Sequence, residues 1–418
     1  MKKLVKLLVV FMVIGLLAAC GSNNEKSSKS GSKDSKTLSL AVWGSSPTET
    51  KALETTVKSF EEKTGVDVKI EVIQDNFQDT LTARFAAKNA PDVFYLESYV
   101  APRFIASGVL EDLSNKVKNP DDFFQPLLDG FRGKDGKLYG VPKDYSTLAT
   151  YVNVDLLEKA GYTVQDVPSD WEGLLAFAKE LQGKLDKGQA AMIFDSTMAR
   201  HLSAFKATGL NPVKEDGYAD FTSSQATLDY LQSIVDGQDE GYLLNPTIDL
   251  GVDSAGAAFG TNQAAIMIEG NWVLSALKQD YPNVNYAVLP APTINGQQQT
   301  MIFNVGYAVS KNSKNKDAAI EFINFMTGEG QKQWSELSGT LPTRQSVANE
   351  MNLYDNPDLK AHVEGAEYGT VWASGETLPV ISSSFDNHFQ AALNGDVTLK
   401  EAMKSAEQEA NAEIDRQK

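Results

Sequence analysis

The stretch TLSLAVWGSSPTETKALETTVKSFEEKTGVDVKIEVIQDNFQDTLTARFAAKNAPDVFYL, residues 37–96, decides the fold class. Its opening TLSLAVW reads as a strand that stops at the turn-rich GSSPTE. Residues 49–63 then carry Leu53, Val57 and Phe60 at spacings of four and three, which places them on one helical face. Gly65 supplies the C-terminal stop. VDVKIEVI, at 66–73, has period two and predicts a second strand; residues 79–88 predict a short amphipathic helix, and PDVFYL from Pro91 a third strand. Strand and helix alternate throughout, so the segment predicts a mainly parallel sheet with helices on both faces. In open sheets of that kind ligands bind beyond the carboxyl ends of the strands. That rule directs attention to residues 43–49, 75–77 and 97–99, where Trp43, Glu49, Asn76, Glu97 and Tyr99 lie.

Upstream of this body the chain opens MKKLVKLLVVFMVIGLLAACGSNN. Lys2, Lys3 and Lys6 form a positive start, and residues 7–17 an apolar run too short to span a bilayer comfortably, the pattern of an export signal. Leu17, Ala18, Ala19 and Cys20, followed by Gly21, resemble the lipobox of bacterial lipoproteins. The resemblance implies that residues 1–19 are a signal peptide, that the chain is cut before Cys20 and that the thiol is acylated. Two acyl chains, at about 0.8 kcal/mol per buried CH₂, hold a protein on a membrane surface where one does not. Cys20 is the only cysteine, so an acylated thiol leaves none for a disulfide within the chain. Residues 21–36 are Ser, Asn, Lys, Gly, Glu and Asp, a flexible tether with a reach of roughly 20 Å.

Beyond the tether the composition is that of a globular protein, 42% hydrophobic with no second apolar run long enough to cross a membrane. About 380 residues remain, more than one core usually serves, which predicts two domains. The formal charge is −17, and removal of the three signal lysines makes the mature chain more acidic still, about −20. Such a balance argues against nucleic acid as a partner and against an anionic ligand drawn in by the overall field. His201, His362 and His388 lie far apart without metal-ligand spacing, and no G-x-S-x-G, P-loop or dinucleotide fingerprint is present. Neither a metal nor a cofactor is expected.

Several further segments occur in a distinctive order: Val42 and Trp43, FEEKTGVDVKIE from Phe60, APDVF from Ala90, SGVLEDL from Ser107 and YGVPKDYSTLATYVNVDLLEKAG from Tyr139. They continue with FGTNQAAIMIEGNW from Phe259, VLPAP from Val288, GYAVSKNSKNKDAAIEFINFM from Gly306 and GTLPTR from Gly339. This ordered set resembles the extracellular solute-binding proteins of ABC importers, family 1, whose best-known members bind maltodextrins and other oligosaccharides. The resemblance implies an α/β fold of the type II periplasmic-binding-protein kind, with two lobes, each a mainly parallel sheet flanked by helices, hinged about a ligand cleft. Crossings between lobes are then expected near residues 147–151, 289–300 and 341–344. This divides the body into an N-terminal lobe, 37–148 plus 296–342, and a C-terminal lobe, 149–295 plus 343–418.

A pyranose ring offers apolar C–H faces and a rim of hydroxyls, so aromatic rings cover the faces while carboxylates, amides and arginines take the rim. Trp272, in EGNW after AAIMI, is the foremost stacking candidate, because the family keeps an aromatic there facing the cleft, and Trp43 is the second. The resemblance also points to Asp144 and Tyr145 at the hinge entrance, to Glu97 and Tyr99 after the third strand, and to Phe194 with Asp195, Trp372 and Phe385 as walls from the second lobe. Asn304 and Gly306 stand where the family often has paired glycines. Trp171 and Trp334 sit on amphipathic helices and read as structural, and Trp43, Phe194, Trp372 and Phe385 have a core reading beside the ligand one. The expected protein is a monomeric, non-enzymatic lipoprotein on the outer face of the bacterial cell membrane that passes an oligosaccharide to permease subunits. The alternatives are the same fold holding a polyamine or a glycerol phosphodiester, and an anchored glycosidase using a pair such as Asp144 with Glu97 or Glu269.

Overall fold

The computed structural model describes residues 37–417 other than 46 and 75. The signal segment, Cys20, the tether and Asp75 lie outside the described residues. The opening stretch folds as its periodicity predicts. β1 (Thr37–Trp43) leads to a helix, Pro47–Thr64, whose Leu53, Val57 and Phe60 are buried, and Gly65 at φ +73° ends it. β2 (Asp67–Ile73) and β3 (Val93–Glu97) flank β1 and run parallel to it. The helix between them, Phe77–Ala86, begins two residues before the predicted start, directly after Asn76 at φ +50°.

The next strand, β4 (Gly140–Asn153), is 14 residues long. At about 3.3 Å per residue it runs for roughly 45 Å, far enough to serve two sheets. Beyond it come β5 (Ala190–Ile193), β6 (Leu243–Leu244), β7 (Ala264–Gly270), β8 (Tyr286–Leu289), β9 (Met301–Val309) and β10 (Thr370–Val371). The first half of β4 pairs with β9, from Gly140↔Ala308 to Thr147↔Ile302, with a bulge between Pro142 and Asp144. Its second half pairs with β7 on one side, Leu148↔Gly270 to Val152↔Ile266, and with β8 on the other. The strand order β2-β1-β3-β9-β4-β7-β5-β6 follows, with β10 on β9 and β8 on β4.

Among the described residues the parallel pairs are β1 with β2, β1 with β3, β5 with β6, β5 with β7 and β10 with β9. Every antiparallel pair involves β4 or β9. The parallel character expected from strand–helix alternation therefore holds in the outer parts, and the sheet becomes mixed where the chain crosses between them.

Each half has its own core. One gathers Phe60, Phe94, Tyr95, Phe322 and Trp334; the other Trp171, Phe205, Phe221, Phe385 and Phe389. A smaller apolar cluster, with Phe124, Tyr145, Ile302 and Leu341, packs around the crossing. After the helix Gln331–Ser338 the chain stays beside β4: Leu341 bridges to Tyr145, and His362, on the helix Lys360–Tyr368, is wedged between the Thr147 and Tyr151 hydroxyls at 3.1 and 2.7 Å. Burial holds that imidazole down to about 4. The chain then returns to β9 as β10 and enters the helices Leu378–Leu393 and Leu399–Gln417.

Arg344 secures this return. It is buried, its Nη1 donates to the Asn119 carbonyl at 2.9 Å, its Nη2 to Lys118 at 2.8 Å and its Nε to Thr327, while the guanidinium stands 4.0 Å from the Phe123 ring centroid. Lysine gathers its three donors on one nitrogen and lacks the planar fork that reaches three separated carbonyls. Arg344→Lys is expected to cost about 2 kcal/mol, read as a lower urea midpoint at unchanged slope. Coincident unfolding curves would show that the fork does not hold this crossing.

Candidate functional site

Pairing brings the carboxyl ends of strands from both halves to one place. β3 runs antiparallel to β9 and ends at Glu97↔Val305, while β10 runs parallel to β9 and ends at Val371↔Ile302, so the two meet end to end along one edge of β9. The Ser98 amide donates to the Asn304 carbonyl at 3.0 Å, the Trp372 amide to Ile302 at 2.8 Å, and the Ser98 hydroxyl to the Trp372 carbonyl at 3.0 Å. β7 ends at the same level, Gly270↔Leu148, with Asn271 Oδ1 accepting from the Thr147 amide at 3.3 Å. β5, parallel to β7, delivers Phe194 and Asp195 to that side. This is the arrangement in which the loops after parallel strands form a crevice.

Trp272, two residues past the end of β7, is 41% exposed although large and apolar. Its Nε1 donates to Glu269 Oε1 at 2.9 Å, and the same oxygen accepts from Arg200 Nη2 at 3.0 Å. The Arg200 guanidinium lies 4.9 Å from the Trp272 ring centroid and 5.5 Å from that of Phe303, and the two rings meet edge to face at 5.3 Å and 80°. Gly270 is required here, since any β-carbon on it would lie 2.1 Å from the indole. Burial raises the Glu269 carboxyl, against the pull of Arg200 and the indole N–H. At Asp195 burial also acts upward, but Arg200 at 3.5 Å and donors from Thr197 outweigh it and hold the group low.

A second group of aromatic and charged side chains lies in the first half. Trp43 is partly buried, edge-on to Tyr95 at 4.8 Å and to Phe77 at 5.4 Å. Lys143, at the β4 bulge, is buried in an ion pair with Asp144 and held between Tyr95 and Trp334, 4.6 and 4.3 Å from their centroids; Trp334 Nε1 donates to Asp144 at 3.0 Å. Glu49 lies in the field of this pair, its carboxyl raised chiefly by burial. Glu97 is lifted to about 7 by burial, opposed only by a hydrogen bond from Gln78. Tyr99 stacks on Trp372 at 5.9 Å and 25°, and burial together with Glu97 pushes its hydroxyl up to about 12.

The structure thus gathers Glu97, Tyr99 and Trp372 where β3 and β10 meet along β9 and places Trp272 against Phe303 of β9, while Trp43 and Glu49 lie together in the first half. Two expectations are corrected. Tyr145 is 1% exposed, its ring packed against Phe124 in the apolar cluster at the crossing, because its position in β4 points it away from Asp144's side. Phe385 is fully buried among Phe205, Phe221 and Phe389, and lines a core. Phe194 is nearly as buried in that same core. Asp144 and Asn304 are buried with partners of their own, Lys143 with Trp334, and the Leu127 carbonyl at 2.7 Å. Asn76 is exposed at a helix start. Sequence reasoning missed Arg200, Phe303, Lys143 and Gln78. Arg200 falls on an ordinary amphipathic helix, Met198–Ala207, and its meaning arises only when that helix packs on β9. Trp171 and Trp334 are buried, as their helical spacing predicts, the former behind an Asp170 cap that accepts from the Gly173 amide at 2.8 Å. Among the described residues no group of His, Cys, Asp and Glu is placed to hold a metal ion, and no helix is long and apolar enough to cross a membrane.

Residues 55–361 match the family model described as bacterial extracellular solute-binding protein. The galactooligosaccharide-binding protein of Bacillus subtilis is 24% identical over 427 residues, covering 99% of this chain and 98% of that one. The diacetylchitobiose binding protein of Streptomyces coelicolor is 24% identical over 90% of this chain and 89% of its own. Among solved structures, an ABC substrate-binding protein from Listeria monocytogenes in complex with cycloalternan superposes with a TM-score of 0.80 at 26% identity, over 91% of this chain and 99% of that one. The sugar-binding protein of Xanthomonas citri shares the two-lobed fold at a TM-score of 0.80, with 21% identity over 91% and 98% of the two chains.

Burial of Glu97 has a consequence for stability. Its folded value of about 7 lies above the ordinary 4.5, so the folded state holds that proton more tightly than the unfolded chain does. Folding is therefore favoured at low pH, and this contribution is lost as pH rises from about 4.5 through 7. Glu97→Gln is expected to match the parent near pH 4.5 and to exceed it at pH 8 by up to about 3 kcal/mol. Parallel stability profiles from pH 4.5 to 8 would place the Glu97 carboxyl in water.

Proposed function

The chain belongs to the bacterial extracellular solute-binding protein family, and on that premise we propose that it captures an oligosaccharide between two lobes and delivers it to an ABC permease. The observation that carries this reading is Trp272, an exposed indole locked in place by Gly270, Glu269, Arg200 and Phe303 at the meeting of strand ends from both halves. A flat apolar ring rimmed by charged hydrogen-bonding groups is complementary to a pyranose face and its hydroxyls. The saccharides printed in the names of the relatives and neighbours, galactooligosaccharide, diacetylchitobiose and cycloalternan, are ligands of this chemistry.

In this reading the lobes comprise residues 37–148 with 296–342 and residues 149–295 with 343–418, and they close about the strands that cross between them. Ligand favours the closed form only by its extra affinity for that form. Glu97, Glu269 and Asp195 accept hydrogen bonds from hydroxyls and perform no hydrolysis. The protein works as a monomer on the outer face of the cell membrane, held by acylated Cys20 and the 21–36 tether.

Trp272→Ala is expected to weaken oligosaccharide binding by about 2 kcal/mol or more, close to thirtyfold, in calorimetry against maltodextrins and galacto-oligosaccharides. Gly270→Ala should act in the same direction by displacing the ring. Intact sugars should be recovered after incubation. Undiminished affinity in the Trp272 variant, or cleaved product, would remove the proposal.

A further inference from the structure

Thr37, the first described residue, lies at the amino ends of β1 and β3, the opposite end of those strands from residues 97–99. Its carbonyl accepts from Asn315 Nδ2 at 3.2 Å, and the loop carrying Asn315 reaches back to Lys311, whose amide donates to the Val109 carbonyl at 2.8 Å. Val109 lines a groove of about 270 Å³ with Phe85, Ala86, Phe104 and Arg103. Phe85 and Val109 are half-buried and Ala86 is exposed, so the groove presents apolar surface to solvent. The charge around it is positive. Lys88, just past the helix Phe77–Ala86, Arg103 in the groove, and Lys311 and Lys314 on the loop are all exposed and make no ion pair among the described residues. Of the acids on this face, Asp92 accepts from Ser39, Ser313 and Asn315, and Glu111 pairs with Lys116 and Lys316, which leaves Asp67 and Asp317 exposed. A chain of formal charge −17 thus carries a cationic, apolar groove on the face from which residues 21–36 depart.

Resting on the membrane-anchored reading argued above, we propose that this face docks on an anionic lipid surface, the four cations meeting lipid phosphates and the groove meeting the apolar boundary beneath the headgroups. Each basic residue held near an anionic leaflet adds attraction, and apolar contact adds to it. Repulsion from the rest of the acidic body is limited, because at physiological ionic strength charges more than about 8 Å from the headgroups are largely screened. A tether with a reach of roughly 20 Å keeps the face concentrated at the surface, so a contact that is weak in free solution becomes populated. The crevice loops leave the carboxyl ends of the strands and this face gathers at the amino ends. Docking in this way turns residues 97–99 from the lipid toward the medium in which a solute arrives.

The test is co-sedimentation of the mature chain, carrying Cys20→Ser so that no acyl group acts, with vesicles of equal parts phosphatidylglycerol and phosphatidylcholine and with phosphatidylcholine alone. Binding is expected to the anionic vesicles only, and to weaken as salt rises. Arg103→Glu combined with Lys311→Glu should weaken it at least about tenfold, and Ala86→Asp should act in the same direction, with circular dichroism and sugar affinity unchanged. Absence of binding to the anionic vesicles, or binding that these variants leave unmoved, would overturn the inference. So would a concentration-dependent dimer in sedimentation velocity that the same variants abolish, since a second copy would then occupy the groove. The intact mass of the unaltered protein taken from membranes reads the anchor separately. An unmodified Cys20 would overturn the anchored reading, whereas an acylated Cys20 without vesicle binding by the Cys20→Ser chain would overturn the docking face alone.

Discussion

The structure depends on one strand belonging to two sheets. β4 gives its first half to β9 and its second to β7 and β8, and the change of partner falls between Thr147 and Leu148. A backbone in a sheet must satisfy every N–H and C=O, so the junction has to be completed from elsewhere. Asn271 accepts from the Thr147 amide, Thr300 Oγ1 donates to the Leu148 carbonyl at 2.6 Å, and His362 fills the space between Thr147 and Tyr151. In the proposed two-lobed reading, relative motion of the two halves would be taken up by torsion of β4 and of the segments lying beside it. β7 and β10 end at that junction, at Leu148 and at Ile302 opposite Thr147, and β3 ends a few residues along β9 at Val305.

The charges around that crevice are arranged for rigidity. Arg200 is held by two carboxylates and two rings, and Lys143 by one carboxylate and two rings. Buried ion pairs of this kind contribute little net stability once desolvation is counted, but breaking one leaves an uncompensated charge, so they persist and fix geometry. Trp272 illustrates the benefit. Its ring is already held by the indole hydrogen bond and the bare Gly270 backbone, which in the proposed function lowers the entropy cost of binding.

The contrast between Trp272 and Phe385 shows how much of the site was legible. Trp272 is a candidate because the family it resembles keeps an aromatic at its position, and Phe385 as a wall from the second lobe with a core reading beside it. Trp272 follows directly on a strand whose last residue pairs at the junction, so its place was implied once strand ends were known to converge. Phe385 lies mid-helix in Leu378–Leu393, and which face of that helix turns inward depends on the helix Leu399–Gln417 and on Phe205 and Phe221, far away in sequence. Tyr145 was misread for a related reason: adjacent to Asp144 on a strand, it had to point to the other face. Arg200 and Gln78 carried no signal at all, being polar residues on short helices.

Local periodicity and turn chemistry, written into residues 37–96, determined the alternation of strand and helix, the Gly65 stop and the parallel character of the outer strands. Those features depend on neighbours a few residues apart, which the sequence displays directly. Only the tertiary structure decided that β4 would be shared, that β3 and β10 would meet along β9, and that Arg200, Glu269, Trp272 and Phe303 would close on one another. Those outcomes rest on backbone pairing and side-chain packing between segments as much as a hundred or more residues apart, where the free energy of each contact depends on all the others being made.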